Sequence, residues 1–249
     1  MSIDTERRGR ILVIHMQREA KRNAIDVAMT SGIDAALNML DDDHSLWAGV
    51  LTGTPSVFCA GTDLKDGPGN PTPRGGEYGI IRRRRVKPLI AAVEGLALGG
   101  GFEIVLACDL VVAARDAKFG LPEVARGVIA SCGALFRTSR ALPLNLAREL
   151  LITGEPITAE RGHAFGLVNA LAEPGAALER AVAMAEAVCR NAPVSVRESL
   201  RAVNRVVESQ DAQAWQATAE AVAAVVASRD CAEGVRAFLE KRAPVWEGF

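Results

Sequence analysis

The chain has 249 residues, of which 49% are hydrophobic and 24% charged. A chain of this length buries roughly 70% of its extended surface, so its core needs neither disulfides nor metals. The 29 basic and 30 acidic residues leave a net charge of −1, and only 4% of residues are aromatic. These values exclude a basic nucleic-acid-binding surface, base-stacking platforms and bulk disorder.

The sequence predicts a protein of a reducing compartment. Its five cysteines are an odd number without a CxxC pair, which favours free thiols. No apolar run approaches membrane-spanning length, and the N-terminal residues lack the apolar core of a signal peptide. We therefore expect a cytoplasmic protein that does not contact a membrane.

The first half of the chain predicts alternating strands and helices. Residues 11–16 read as a strand, and residues 26–40 as a helix with Asp26 as its N-cap. A buried strand over 47–52 is followed by a strand, a glycine turn and a helix-prone segment within 56–66. The proline- and glycine-rich residues 67–76 predict a mobile loop.

Farther along, four arginines at 82–85 are interpreted as a solvated helix end rather than as an anion-binding run. Residues 88–93 predict a strand that leads through glycines into a helix over 102–108. Further strands are expected at 110–114 and 118–123. Helices dominate after about residue 130, among them one beginning near Pro174 and one over 211–227. The prediction is an α/β core over residues 1–190 that carries the active site, followed by a helical region over 191–249.

The glycine run before the predicted helix at 102–108 predicts the position of the active site. Amides at a helix start are free donors, and glycine lets a ligand approach the backbone. Glu103 follows the run after Phe102 and would repel a phosphate, so a carbonyl that becomes an oxyanion fits better. The turn at Ala60-Gly61 offers a second exposed amide, on Thr62. Two such donors are what a polarised carbonyl needs.

Two glutamates are the candidate acid–base groups. Glu103 and Glu123 lie 20 residues apart, with a strand and a turn between them that could return the chain to the same pocket. Paired carboxylates in an apolar cleft can have split pKa values, which lets one act as a base and the other as an acid.

Seven motifs in order make the sequence resemble the crotonase superfamily, the enoyl-CoA hydratase/isomerase family. They are REAKRNA at 18–24, FCAGTDLK at 58–65, GLALGGGFE at 95–103, FGLPE at 119–123, LITGEPITA at 151–159, GLVN at 166–169 and DCAEGVRAFLEKR at 230–242. The resemblance covers nearly the whole chain. It implies a crotonase-like spiral of β-β-α units with a helical C-terminal trimerisation region.

The resemblance also implies residue roles. Thr62 and Gly100 would supply the oxyanion hole for a thioester carbonyl, and Glu103 and Glu123 would be the catalytic acids. The residues expected to contact CoA are Arg22, Ala60, Gly61, Asp63, Leu64, Lys65, Phe238 and Lys241, of which Phe238 and Lys241 would reach the CoA of a neighbouring subunit. Asp63 is also interpreted as a capping or buried structural acid. The partners implied are an acyl-CoA thioester and further copies of the chain, as a homotrimer or dimer of trimers, with no metal and no cofactor beyond the CoA of the substrate.

The expected reaction is addition of water to 2-trans-enoyl-CoA thioesters in acyl-CoA degradation. One alternative is Δ3,Δ2-enoyl-CoA isomerisation or another enolate-forming step, which needs only one principal carboxylate. A second alternative is a non-catalytic acyl-CoA-binding subunit. The sequence departs from the hydratase pattern at Ala130, Ser131 and Ala134, where a proline and two glycines are common, which changes the expected wall beside the acyl group.

Overall fold

A computed structural model describes residues 2–249. The strands run over β1 Ile3–Arg8, β2 Ile11–Met16, β3 Ala48–Thr52, β4 Leu89–Val93, β5 Leu96–Leu98, β6 Leu110–Ala114, β7 Lys118–Gly120, β8 Ile157–Thr158 and β9 Ala170–Ala172. The α-helices run over α1 Val27–Asp42, α2 Gly100–Leu106, α3 Ala134–Ala141, α4 Leu144–Thr153, α5 Ala159–Ala164, α6 Ala177–Cys189, α7 Pro193–Val207, α8 Asp211–Val226 and α9 Arg229–Glu240.

The strands form two sheets that the chain visits in turn. The larger sheet has the order β1-β2-β3-β4-β6-β9 and is parallel except for the β1–β2 pair. The smaller sheet has the order β5-β7-β8. Strand β4 of the first sheet leads directly to β5 of the second, and β6 leads to β7, so successive turns stack as a spiral. The predicted α/β spiral of β-β-α units is confirmed.

The larger sheet is apolar on both faces. All residues of β3 and β4 are buried, as expected for central parallel strands covered by helices. Helix α1 packs on one face and begins as predicted, because the Asp26 side chain accepts a hydrogen bond of 2.8 Å from the Met29 N–H. Helix α6 covers the other face with small residues such as Ala181 and Ala185.

The arginines at 82–85 do not form a solvated helix end, so that interpretation is wrong. They lie in an irregular segment before β4, and the side chains of Arg83 and Arg85 are only 1% and 7% exposed. Arg83 forms ion pairs with Asp34 and with Asp41, at 2.9 Å in the second case. Arg85 pairs with Asp109 at 2.8 Å. Buried guanidinium groups with carboxylate partners fix the connection between α1 and the sheet.

Two further predictions about local structure are wrong at the site. Residues 56–66 contain an isolated bridge from Cys59 to Ala97 and turns, rather than a strand and a helix. Glu123 lies in a 3-10 helix over Pro122–Arg126, because the strand predicted at 118–123 ends at Gly120. At Cys59 the bridge to β5 sets the conformation, whereas β7 ends before Pro122, which has no N–H to donate to a strand.

The helices after residue 191 include two that return to the core. On α8, the Trp215 ring packs edge-on against Phe136, with centroids 5.0 Å apart, and Arg82 lies 3.8 Å from its centre. On α9, a Cβ atom added to Gly234 would lie 2.1 Å from the Arg126 carbonyl oxygen. The helical C-terminal region is therefore present as expected, and α9 lies directly on the 3-10 helix that carries Glu123.

None of the helices within residues 2–249 is both long and apolar enough to cross a bilayer.

Candidate active site

One cavity of about 270 Å³ opens where the turn at Gly61, the start of α2 and the 3-10 helix over Pro122–Arg126 meet. Its walls are Ala60, Gly61, Thr62, Leu64, Tyr78, Gly99, Gly100, Glu103, Pro122, Glu123, Arg126, Val128, Ile129 and Ser131. Both predicted acids and both predicted amide donors therefore face a single space.

Glu103 projects from the first turns of α2 and is 2% exposed. Its Oε1 accepts hydrogen bonds from the Cys132 N–H at 2.7 Å and from the Ala134 N–H at 3.2 Å. These two bonds lower its pKa, but burial and the nearby charge of Glu123 outweigh them and raise the pKa of Glu103 to about 8. The carboxyl group is thus held in place and can carry a proton near neutral pH.

Glu123 faces the same cavity from the 3-10 helix over Pro122–Arg126. Its Oε2 is buried and has no hydrogen-bond partner among residues 2–249. Burial raises the pKa of Glu123 to about 7, against the opposing effects of its own backbone N–H and the positive charge of Arg126. An unpartnered buried carboxylate oxygen is costly unless a ligand or water satisfies it, so this atom marks a binding position.

Two backbone N–H groups at the cavity have no acceptor in the described chain. The groups on both sides of the Thr62 N–H are paired. The Gly61 carbonyl accepts from the Ile25 N–H, and the Asp63 N–H donates to the Ile25 carbonyl, which leaves the Thr62 N–H free. Gly100 opens α2, where an N–H has no intrahelical acceptor. The two segments are adjacent, since a Cβ atom on Gly61 would lie 3.5 Å from the Gly100 nitrogen. The pair can serve one carbonyl oxygen as an oxyanion hole.

Glycine is required where these segments touch. Gly61 and Gly99 both have positive φ angles, of 101° and 54°. A Cβ atom on Gly99 would lie 3.1 Å from Glu123 Oε1 and would narrow the gap between the carboxylate and the amides.

Comparisons with known proteins agree with this geometry. The family model described as "Enoyl-CoA hydratase/isomerase" matches residues 6–248. The chain belongs to this family.

Relatives of this family member match over nearly their whole length. It is 40% identical to the mevalonyl-coenzyme A hydratase sidH of Aspergillus fumigatus, over 95% of this chain and 91% of the relative. It is 38% identical to the enoyl-CoA hydratase EchA19 of Mycobacterium tuberculosis, over 96% and 94%. The solved carnitinyl-CoA hydratase of Mycobacterium avium is 39% identical with a TM-score of 0.93, covering 100% of this chain and 99% of that one. These matches confirm the crotonase fold.

Six of the eight residues predicted to contact CoA fall into two groups in this family member, and Asp63 and Phe238 differ from both. Ala60, Gly61 and Leu64 line the cavity, and the Ala60 N–H donates to the Arg22 carbonyl at 3.0 Å. The side chains of Arg22, Lys65 and Lys241 are exposed and lie outside the cavity walls.

Asp63 has a structural role in holding the same segment. Its carboxylate bonds Arg18 at 2.7 Å and accepts the Lys65 N–H, which together lower its pKa to about 2. The interpretation of Asp63 as a buried structural acid is therefore supported by its contacts, while a contact to CoA stays a prediction.

Phe238 lies next to the cavity of its own chain. Its ring centre is 5.0 Å from the guanidinium of Arg126, a cavity residue. The resemblance places this residue against the CoA of a neighbouring subunit, so the structure adds a contact within the chain that the sequence does not predict.

Sequence reasoning missed two polar cavity residues, Tyr78 and Arg126. Tyr78 follows the loop at 67–76, and its hydroxyl lies 2.8 Å from Thr62 Oγ1. A signal was present, since Tyr78 is the only tyrosine of the chain and has glycine neighbours at 75, 76 and 79. Arg126 lies one turn after Glu123 and has no ion pair in the described part of the chain.

Proposed function

We propose that the protein is an enoyl-CoA hydratase, a hydro-lyase that adds water across the double bond of 2-trans-enoyl-CoA thioesters. The observation that carries the proposal is the pair Glu103 and Glu123, both buried in one cavity beside the free amides of Thr62 and Gly100. The names of the relatives, most of them hydratases of CoA thioesters, support the same assignment.

The proposed reaction begins with polarisation of the thioester carbonyl. The N–H groups of Thr62 and Gly100 donate hydrogen bonds to the thioester oxygen, which draws electrons from the double bond and makes the β-carbon electrophilic. Glu103 and Glu123 hold one water molecule, and the Glu123 carboxylate removes one of its protons as the oxygen bonds to the β-carbon. Glu123 delivers a proton to the α-carbon, so the product is a 3-hydroxyacyl-CoA with all atoms of water incorporated. General acid–base action of this kind contributes roughly 10²–10⁴-fold.

The finer features are part of the proposal. Residues Ala60, Gly61, Leu64, Lys65 and Arg22 lie along the proposed CoA path, and the reaction needs no cofactor beyond the CoA of its substrate. The exposed Val203 and Val206 of α7 support burial of this helix in a homotrimer or a dimer of trimers. Five free thiols support a cytoplasmic location.

The test is hydration of crotonyl-CoA by wild type and by Glu123→Gln, followed by the loss of conjugated absorbance. We expect the variant to lose nearly all hydration while its affinity for butyryl-CoA, measured by calorimetry, stays within about twofold, because Gln keeps the shape and removes the proton chemistry. Glu94→Gln is the matched control. Glu94 is also buried, but it bonds the Gly175 and Ala177 N–H groups away from the cavity.

A parallel assay with a 3-enoyl-CoA separates the alternatives. A gain of conjugated absorbance from this substrate alone would make the protein an isomerase. Tight binding of butyryl-CoA without turnover of either substrate would make it a binding subunit. Hydration by Glu123→Gln at the wild-type rate would overturn the proposed roles.

A further inference from the structure

Tyr78 touches both segments that supply the oxyanion hole. It lies in a 3-10 helix over Glu77–Gly79, is 5% exposed and lines the cavity. No step of the reaction described above uses it.

The first contact is with Thr62. The Tyr78 hydroxyl oxygen lies 2.8 Å from Thr62 Oγ1. Threonine is β-branched, so a hydrogen bond to its hydroxyl fixes the side chain in one rotamer over its own backbone. The bond therefore restrains the residue whose N–H is the first donor of the oxyanion hole.

The second contact is with Gly100. A Cβ atom on Gly100 would lie 2.8 Å from the Tyr78 hydroxyl oxygen and 2.9 Å from the ring carbon that bears it. The end of the ring thus packs against the Cα of the residue whose N–H is the second donor. No side chain larger than hydrogen fits between them.

The backbone of Tyr78 is strained where these contacts are made. Its φ is 55°, in the left-handed region that bulky residues rarely adopt. The following Gly79 is fixed against α1, because a Cβ atom there would lie 2.5 Å from the Thr30 carbonyl oxygen. Strain of this kind persists where the surroundings impose it, and it concentrates at functional sites.

We propose that Tyr78 is a positioning residue that sets the separation of the two oxyanion-hole donors, through its hydrogen bond to Thr62 and its packing on Gly100. The proposal rests on the proposed function for its kinetic consequence, but not for the contacts themselves. An oxyanion hole is effective only when both donors lie about 2.7–3.1 Å from the developing oxyanion, so a support of this kind acts on the transition state more than on ground-state binding.

The test compares Tyr78→Phe, Thr62→Val and the double variant. Each single change removes one side of the hydrogen bond and retains the ring or the backbone N–H. We expect each to lower kcat for crotonyl-CoA roughly tenfold, less than the 10²–10³-fold that follows loss of a whole donor, with KM changed less than twofold. Because the two hydroxyls act through one hydrogen bond, we expect kcat of the double variant to be no lower than kcat of either single variant.

A spectroscopic readout separates positioning from general destabilisation. The absorbance of 4-dimethylaminocinnamoyl-CoA moves to longer wavelength when its carbonyl is polarised, so bound probe reports the oxyanion hole directly. We expect a smaller shift in Tyr78→Phe than in wild type. Thr52→Val is the matched control, since it removes a buried hydroxyl that bonds only the Ala92 carbonyl, at 3.0 Å. It should retain the full shift and kcat.

The outcomes are distinct. A wild-type shift and kcat in Tyr78→Phe, or fully additive losses in the double variant, would overturn the proposal. A higher KM with unchanged kcat would make Tyr78 a substrate contact instead, and loss of one limb of the pH profile would make it a proton donor. If wild type shifts the probe but does not hydrate crotonyl-CoA, a reduced shift in Tyr78→Phe still supports the positioning role while the proposed hydration fails.

Discussion

Glu103 Oε1 lies 2.7 Å from the Cys132 nitrogen, so the carboxylate that we propose as catalytic is held by the backbone of the segment in which the sequence departs from the hydratase pattern. The departures at 130–134 change side chains, while the N–H groups at 132 and 134 still reach Glu103. Gly133 between them has a φ of 103°, a conformation that glycine adopts without strain. The support of the carboxylate is therefore independent of those substitutions.

Glu103 should reduce the stability of the folded protein as the pH rises. Its pKa increases from 4.5 to about 8 on folding, so its contribution to stability is present in full below pH 4.5 and is lost as the pH rises toward 8. Glu103→Gln keeps an oxygen acceptor for the two N–H groups and cannot ionise. We expect the variant to have a higher free energy of unfolding than wild type at pH 9, by on the order of a few kcal/mol, and therefore to melt at a higher temperature.

The measurement is a pair of thermal melts at pH 5 and pH 9. At pH 5 the difference between Glu103→Gln and wild type should largely vanish, because Glu103 is then protonated in the folded state. The same difference in melting temperature at both pH values would contradict the assigned titration.

The acid limb of the pH–rate profile should depend on Arg126. Its positive charge lowers the pKa of Glu123, which burial raises to about 7. We expect Arg126→Gln to raise this pKa further, so the pH at which kcat/KM reaches half its maximum on the acid side moves upward. Steady-state hydration of crotonyl-CoA between pH 5 and pH 10 measures the shift.

Two controls accompany this profile. Arg126→Lys keeps the charge and should keep the limb near its wild-type position. Arg205→Gln removes an exposed charge from α7 and should leave the profile unchanged. An acid limb at the same pH in Arg126→Gln and wild type would show that the guanidinium does not act on Glu123.

Asp63 should stabilise the segment that carries the Thr62 amide. Its bonds to Arg18 and to the Lys65 N–H hold its pKa near 2, below the ordinary 3.8, so this stabilisation is present above pH 3.8 and is lost as the pH falls through about 2. We expect Asp63→Asn to lower the free energy of unfolding at pH 7 by about 2 kcal/mol, measured with urea, because a charged hydrogen-bond partner is lost.

Asp66→Asn is the matched control for this change. Asp66 lies 3.6 Å from the same Arg18, but its side chain is 53% exposed. Its loss should change the unfolding free energy by less than about 1 kcal/mol. Equal effects of the two substitutions would show that the buried bonds of Asp63 add nothing beyond a surface ion pair.

The sequence predicted the parts of the site that lie in glycine-rich turns. Thr62, Gly100 and Glu103 belong to local motifs, in which glycine, free amide and acid follow one another within a few residues. Tyr78 and Arg126 were missed because the glycines beside Tyr78 indicate a turn but not what it faces, and no local pattern places Arg126 beside Glu123. Only the packing of the 3-10 helices against α1 and α9 brings them to the cavity.

In the fold, too, local sequence patterns predict some elements correctly, whereas tertiary contacts determine others. The helix capped by Asp26 and the apolar strands β3 and β4 follow from local pattern. The arginines at 82–85 were wrongly predicted because a run of charge usually faces solvent, whereas here Asp34, Asp41 and Asp109 come from distant positions to neutralise it. Strand β5 has only three residues and takes its conformation from pairing with β7.

The close contact between Gly234 of α9 and the Arg126 carbonyl limits which C-terminal segments of other family members can replace residues 229–249 of this chain. A hybrid that joins residues 1–228 to the tail of another family member will hold Glu123 in place only if the donor tail also has glycine at the position of Gly234. Any larger residue there would press the 3-10 helix toward the substrate. Helix α9 and the 3-10 helix that carries Glu123 therefore have to be exchanged as one unit.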